Sequence, residues 1–350
     1  MRMKTIHNIS FGSSKDLHNV NDESIHLVIT SPPYPMIEMW DEQFSQLNPK
    51  IKRYLDQGEG KEAFELMHLE LDNVWHEIFR VLKDGGIICI NIGDATRKIG
   101  DLFQLFSNHS RILTYFLKLG FVTLPPILWH KTSTKPNKFM GSGMLPTNAY
   151  ITHEHEFILI LRKGNNRIFN NDQKELRYHS AYFWEERNSW FSDIWFDLKG
   201  IPQNLNDSDE RTRSAAFPFE LAYRLINMYS IQGDTILDPF LGTGTTTIAA
   251  ITSMRNSIGY EIDKSFKQII QDRLKYIIRF ASEYINERLE KHRNFIEEQR
   301  KKDKLFKYKS EVYDFEIVTN QETKILFPLP IEIKEITDFK FIIEYLTEIK

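Results

Sequence analysis

Residues 30–34 read Thr30-Ser31-Pro32-Pro33-Tyr34 and follow directly on the run Ile25-His26-Leu27-Val28-Ile29. The run predicts a buried strand, and the prolines predict its end. They fix φ and remove two backbone donors, so the ladder cannot continue. A hydroxyl, outward-pointing carbonyls and an aromatic ring then share one rigid turn. Such a set can hold a flat polar ligand by its edge and its face, and a nucleobase is one such ligand.

A second stretch, Asp238-Pro239-Phe240-Leu241-Gly242-Thr243-Gly244-Thr245-Thr246-Thr247, follows a short predicted strand and opens a predicted helix. Glycines there let backbone approach a ligand closely, and ligands of open α/β sheets bind at the carboxyl ends of strands. Glu261 ends the next strand, where a carboxylate can accept from ribose hydroxyls. The dinucleotide fingerprint would want glycine at 247, and a Walker loop would want lysine after Gly244; both positions hold threonine. With Asp238 in front, the loop disfavours phosphate. It suits a ligand bearing an ammonium and a ribose, and S-adenosylmethionine has both.

The elements that must position these residues alternate. Strands are predicted at 25–29, 87–92, 121–129, 156–162, 235–238 and 257–261. Helices are predicted at 66–82, 101–119, 219–229, 245–253 and, as one long element or two, 264–304. The alternation indicates an α/β fold with a doubly wound, mostly parallel sheet. Residues 35–70 look like a helical insertion or lid, 130–150 a flexible basic loop, and 305–350 a small appended unit.

Composition sets the limits. The 350 residues are 41% hydrophobic, enough for a sizeable core, with mean hydropathy −0.41. No apolar run approaches the ~20 residues of a membrane span, and the start has no signal-peptide stretch, so the cytoplasm is the expected location. The single cysteine, Cys89, excludes an internal disulfide framework and a cysteine-based metal site. A net charge of −3 leaves phosphate contacts to local patches such as Lys131, Lys135 and Lys138.

Taken together, the two motifs resemble those of the DNA amino-methyltransferases, which methylate the exocyclic amine of cytosine or adenine. The tetrapeptide Ser31-Pro32-Pro33-Tyr34 matches the family's catalytic pattern, and Asp238 to Thr246 matches its cofactor pattern. The catalytic motif comes first, a circularly permuted order that is similar to the beta group. Ala215-Ala216-Phe217-Pro218 is similar to the segment that precedes the cofactor motif there. The resemblance covers about residues 5–164 and 211–263. It implies a Rossmann-like methyltransferase sheet with 1–164 as the catalytic half and 211–263 as the cofactor half. It leaves 165–210 as a candidate target-recognition region and 264–350 as a helical extension with a small tail.

The resemblance further implies that Ser31 Oγ and the Pro32 carbonyl accept the amine protons and that Tyr34 stacks on the base. Asp238 would approach the methionine ammonium or nearby backbone, Phe240 would line the pocket, and Gly242 and Gly244 would allow close approach. Thr245 and Thr246 would open the helix and Glu261 would hold the ribose. Thr30, Phe217 and Pro218 are further pocket candidates. The implied partner is double-stranded DNA with its target base flipped out, the implied setting a pairing with a restriction endonuclease, and the chain a monomer or homodimer. Serine at position 31 favours cytosine N4 over adenine N6, because the adenine enzymes more often carry Asp or Asn there.

Other readings stay open. A non-catalytic nucleic-acid-binding module would bind no cofactor. RNA or protein glutamine methyltransferases usually carry Asn first and the reverse motif order. Ring-carbon methylation needs an exposed cysteine, whereas Cys89 lies in the apolar run Ile87-Ile88-Cys89-Ile90. His153 and His155, alternating with Glu154 and Glu156, look like strand-edge residues rather than a metal site. Trp184, Trp190 and Trp195 are expected either to contact DNA or to form ordinary core, and Asp94 to serve a pocket or a polar turn.

Overall fold

The computed structural model describes residues 2–131, 140–198 and 217–346. Ten strands build one sheet: β1 (Arg2–Phe11), β2 (Ile25–Thr30), β3 (Leu82–Ile92), β4 (Phe121–His130), β5 (His155–Lys163), β6 (Ile194–Trp195), β7 (Thr235–Asp238), β8 (Asn256–Glu261), β9 (Leu329–Thr337) and β10 (Lys340–Leu346). Their order is β6-β4-β5-β3-β2-β7-β8-β1-β10-β9. The central five, β3-β2-β7-β8-β1, are parallel; β5 runs antiparallel between β3 and β4. The doubly wound α/β expectation holds.

Helices cover both faces. In chain order they are α1 (Asp41–Leu47), α2 (Pro49–Asp56), α3 (Gly60–Val81), α4 (Asn108–Lys118), α5 (Asn171–His179), α6 (Trp184–Trp190), α7 (Phe219–Tyr229), α8 (Thr245–Thr252), α9 (Phe266–Lys275) and α10 (Ile277–Arg300). Strand residues alternate between the two layers, as a period of two requires. Val28, Ile88, Ile90 and Ile92 pack with Phe44, Trp75 and Phe116 from α1, α3 and α4. Leu27, Ile29 and Cys89 pack on the other face with Trp190, Leu221 and Ala249 from α6, α7 and α8. Burial pushes the Cys89 thiol up, which removes it as a nucleophile.

Three expectations need correction. The helix expected over 101–119 starts only at Asn108; before it, Ala95–Ile99 and Leu102–Phe106 form a hairpin. Ile99 pairs with Leu102, so the turn is Gly100-Asp101, and Gly100 takes φ +58°, a geometry that favours glycine. Secondly, β1 precedes the first predicted strand, at 25–29, and no strand is predicted over its residues. Its ladder lies between β8 and β10, and the latter partner comes from the far end of the chain. Thirdly, the tail is not a separate unit, because β9 and β10 extend the main sheet next to β1. The long helical stretch is indeed two helices, and the expected 35–70 insertion is helical, with Phe44, Ile51 and Met67 fully in the core.

Of the tryptophans, Trp190 and Trp195 are core residues, and Trp184 is half-exposed against Phe295 of α10. The α6 segment is held to α10 by Arg288 on Glu186 and by His292 on Glu185 at 2.7 Å. The ordinary-core reading therefore holds for two of the three. Among the described residues, no helix is long and apolar enough to cross a membrane and no cluster suits a metal.

Buried histidines make stability pH-dependent. His7 lies between Thr5 and Ser257, and His68 holds Asn108 at 3.0 Å; burial lowers each to about 3. The unfolded chain binds these protons below pH ~6.5 and the folded chain does not. Stability present above that pH is thus lost as pH falls toward 3. Each group contributes a slope of about 1.4 kcal/mol per pH unit in this window. His68→Gln should flatten the decline of unfolding free energy between pH 6 and 4.5 by about one proton's slope. An unchanged slope in urea titrations of the variant would contradict this.

Candidate active site

The grip turn sits where three parallel strands end. Thr30 closes β2, and Pro32 and Pro33 are buried behind it. Asn91 from β3 and Glu156 from β5 reach the same place. Tyr34 OH donates to Glu156 Oε2 at 3.0 Å, and Ser31 Oγ lies 3.0 Å from Tyr34 OH. Asn91 Nδ2 donates to Tyr34 OH at 2.8 Å and to Glu156 Oε2 at 2.7 Å, while its Oδ1 is buried without a partner among the described residues. Lys131 Nζ donates to Glu156 Oε1 at 2.8 Å. Burial first, then the Glu156 charge, raises the Tyr34 phenol well above its ordinary value.

The turn is also clamped from behind. Asn108 Nδ2 donates to Pro35 O and Gly93 O, each at 3.0 Å. Its Oδ1 must then be the acceptor, so His68 Nε2 carries the proton between them. Gly93 lies close against the Tyr34 ring. A Cβ there would stand 3.0 Å from Tyr34 Cε2, tighter than side chains normally pack.

The cofactor motif joins this turn through one buried carboxylate. Thr30 Oγ1 donates to Asp238 Oδ1 at 2.8 Å, Thr246 Oγ1 to Oδ2 at 2.6 Å, and Phe240 N to Oδ1 at 3.1 Å. Burial raises Asp238 to about 6 despite these donors. Both oxygens are engaged inside the protein, so Asp238 bolts the two motifs together and meets the nearby backbone, one of the two expected partners, at Phe240 N. Glu261 ties the loop to the sheet, accepting Gly242 N at 2.6 Å and Asp263 N at 2.8 Å. Arg273 Nη1 donates to Thr243 O at 2.8 Å and to Thr245 Oγ1 at 3.1 Å, fastening the loop from α9.

Between the motifs lies a cleft walled by Pro33, Pro239, Phe240, Ile262 and Phe44, with the Lys15–Glu70 ion pair at its rim. Its apolar walls and few polar groups suit a small ligand with one flat ring. Gly242 adopts φ +54°, and a Cβ on it would meet nothing within 4 Å. The loop thus leaves open space where its backbone can be approached. These features fit S-adenosylmethionine.

Ser31, Tyr34, Thr30, Asp238, Phe240, Gly242, Gly244, Thr245, Thr246 and Glu261 form one continuous stretch of structure. Phe217 and Pro218 do not border this cleft: Phe217 packs in the core of the opposite sheet face, and Pro218 precedes α7. Lys131 faces Glu156 and the Trp129 ring, a different setting from the expected phosphate contact; Lys135 and Lys138 lie outside the described residues. Asp94 is a turn residue, accepting His109 N at 3.1 Å at the start of α4. Sequence reasoning missed Asn91, Glu156, His68, Asn108 and Arg273. Asn91 and Asn108 gave weak signals as amides next to apolar runs, and Glu156 was hidden in a polar alternation.

A family profile described as DNA methylase, of the N6/N4 type, matches residues 25–272. Type II methyltransferase M.MthZI of Methanothermobacter thermautotrophicus is 54% identical over 97% of this chain and 95% of its own. Type II methyltransferase M.MjaI of Methanocaldococcus jannaschii is 56% identical over 77% of this chain and 91% of its own. The solved structure of TTHA0409 from Thermus thermophilus, complexed with S-adenosyl-L-methionine, superposes with a TM-score of 0.60 at 33% identity, covering 77% of this chain and 94% of that one. With profile, relatives and site geometry agreeing, this chain belongs to the N6/N4 DNA methylase family and is a DNA methyltransferase dependent on S-adenosylmethionine.

Proposed function

We propose that the acceptor is the N4 amine of cytosine in a base flipped from duplex DNA. The observation that carries this is the side chain at the grip position: a serine hydroxyl, where an amide or carboxylate would suit the adenine amine better. S-adenosylmethionine supplies an electrophilic methyl group. The protein's task is to make the amine a nucleophile and align it. The amine lone pair is conjugated with the ring and attacks poorly. Ser31 Oγ and the Pro32 carbonyl accept its two hydrogens, draw the nitrogen toward tetrahedral geometry and localise the pair. Positioning for in-line attack then supplies most of the acceleration.

Tyr34 stacks on the base, worth about 1–3 kcal/mol, which offsets much of the cost of flipping. Phe240 and Ile262, which wall the cleft, would hold the cofactor's adenine, and the remaining lone pairs of Glu261 would accept from its ribose. Residues 165–210 serve target recognition, and the stretch 132–139 meets backbone phosphates through Lys135 and Lys138. The two Type II relatives also support a role in marking DNA against a partner endonuclease.

Methylation of mixed-sequence DNA with labelled cofactor, followed by nucleoside mass analysis, should give N4-methylcytosine. N6-methyladenine would overturn the choice of base. Ser31→Ala should lower the single-turnover rate by about 10²-fold or more, by analogy with removing one preorganised hydrogen-bonding group, and full activity would remove Ser31 from the mechanism. Replacing Lys135 and Lys138 together by Ala should weaken DNA binding uniformly across sequences and reduce the magnitude of the salt slope by about 2; an unchanged slope would take the phosphates elsewhere.

A further inference from the structure

We infer that Glu156 directs the Ser31 hydroxyl and receives the proton that methylation releases from the base. This rests on Ser31 being the amine's acceptor. The inference comes from the direction of each hydrogen bond. A carboxylate has no hydrogen to give, so Tyr34 must donate to Glu156 Oε2 across their 3.0 Å contact. Asn91 Nδ2 spends its two hydrogens on Tyr34 OH and Glu156 Oε2. The phenol's one hydrogen is committed, so the 3.0 Å contact between Ser31 and Tyr34 can only be Ser31 donating. The serine hydrogen therefore points inward, and the Ser31 Oγ lone pairs remain for the amine. Reverse any link and Ser31 would meet an N–H with an O–H.

The same chain carries charge away. As the nitrogen–methyl bond forms, the sulfur–methyl bond breaks and its electron pair stays on sulfur. The amine nitrogen is left positive with one proton too many. That proton passes to Ser31 Oγ as the serine proton moves to Tyr34 and the phenol proton moves to Glu156 Oε2. The base ends neutral and methylated, Ser31 and Tyr34 end unchanged, and Glu156 ends as a carboxylic acid that returns its proton to solvent. The phenol's raised value means that Tyr34 passes a proton on without settling as phenolate. Lys131 on Oε1 and Asn91 on Oε2 keep the carboxylate aligned with the phenol. Glu156 acts through Tyr34 and Ser31, so it is a positioning residue and proton sink.

The test is Glu156→Gln in the full chain, with single-turnover methylation measured against pH and S-adenosylmethionine affinity measured by calorimetry. A glutamine amide can donate to Tyr34 and reverse the chain. The rate should fall by about 10²-fold or more, the range of a positioned proton acceptor, with cofactor affinity within about twofold of wild type. The decline of the wild-type rate on the acid side should become shallower, leaving the part set by Asp238. Tyr34→Phe, which keeps the ring and cuts the chain, should cost a similar factor, and the double variant no more than the worse single. A wild-type rate, additive losses, or a loss of cofactor affinity matching the loss of rate would each overturn the inference. Should Glu156→Gln be fully active while Ser31→Ala is inactive, only this inference fails; a fully active Ser31→Ala would sink the function it rests on.

Discussion

One buried carboxylate fixes the geometry of the site. Asp238 receives hydrogens from Thr30 at the end of β2, from Thr246 at the start of α8, and from the Phe240 amide within the loop. Its charged form is costly to bury. Raising the group from 3.8 to about 6 corresponds to roughly 3 kcal/mol against ionisation at neutral pH. That figure is what remains after three donors have offset part of the burial penalty, and they can do so only with β2 and β7 side by side and in register. The pairs Leu27 with Ile236 and Val28 with Leu237 set that register. A slip of one residue would turn Thr30 and Asp238 to opposite faces and separate the grip turn from the cofactor loop.

The rest of the site builds outward from this bolt. Glu261 and Arg273 hold the glycine loop from two further elements, so Gly242 keeps its left-handed backbone and its open approach. The helices after the grip turn are a wall rather than a loose lid: Phe44 closes the cleft from α1, and Arg97 of the hairpin holds Asp41 of α1 through two contacts of 2.8 and 2.6 Å. His68 on α3 reaches the turn through Asn108. The polar groups at the grip turn are almost all paired with one another, so their orientations are set before a substrate arrives.

Much of this was legible in the sequence because it is local. A Pro-Pro turn after an apolar run, a glycine loop between strand and helix, and Glu261 at the next strand end each carry their signal within a few residues. Strand and helix alternation pointed to the sheet. What was not legible depends on distant partners. β1 needs β10 from the opposite end of the chain before its edges are covered. Glu156 is one acid in a polar stretch until β5 lies against β3 and brings it to Asn91 and Tyr34. For Asp238, sequence shows its neighbours in the loop but not Thr30 beside it. The 101–107 segment was mistaken for helix because its apolar residues fit both periods, and only the Gly100-Asp101 turn distinguishes them.

The central claim is that the Ser-Pro-Pro-Tyr turn, held by Asp238 against the cofactor loop, presents acceptors to an exocyclic amine. The most direct measurement is a crystal structure of the protein with a non-reactive S-adenosylmethionine analogue and duplex DNA containing its target. The account predicts an extrahelical cytosine with N4 within hydrogen-bond distance of Ser31 Oγ and Pro32 O, and with Asp238 still bonded to Thr30 and Thr246. A target amine held away from Ser31 and Pro32, or Asp238 released from Thr30 to bind the cofactor directly, would contradict it.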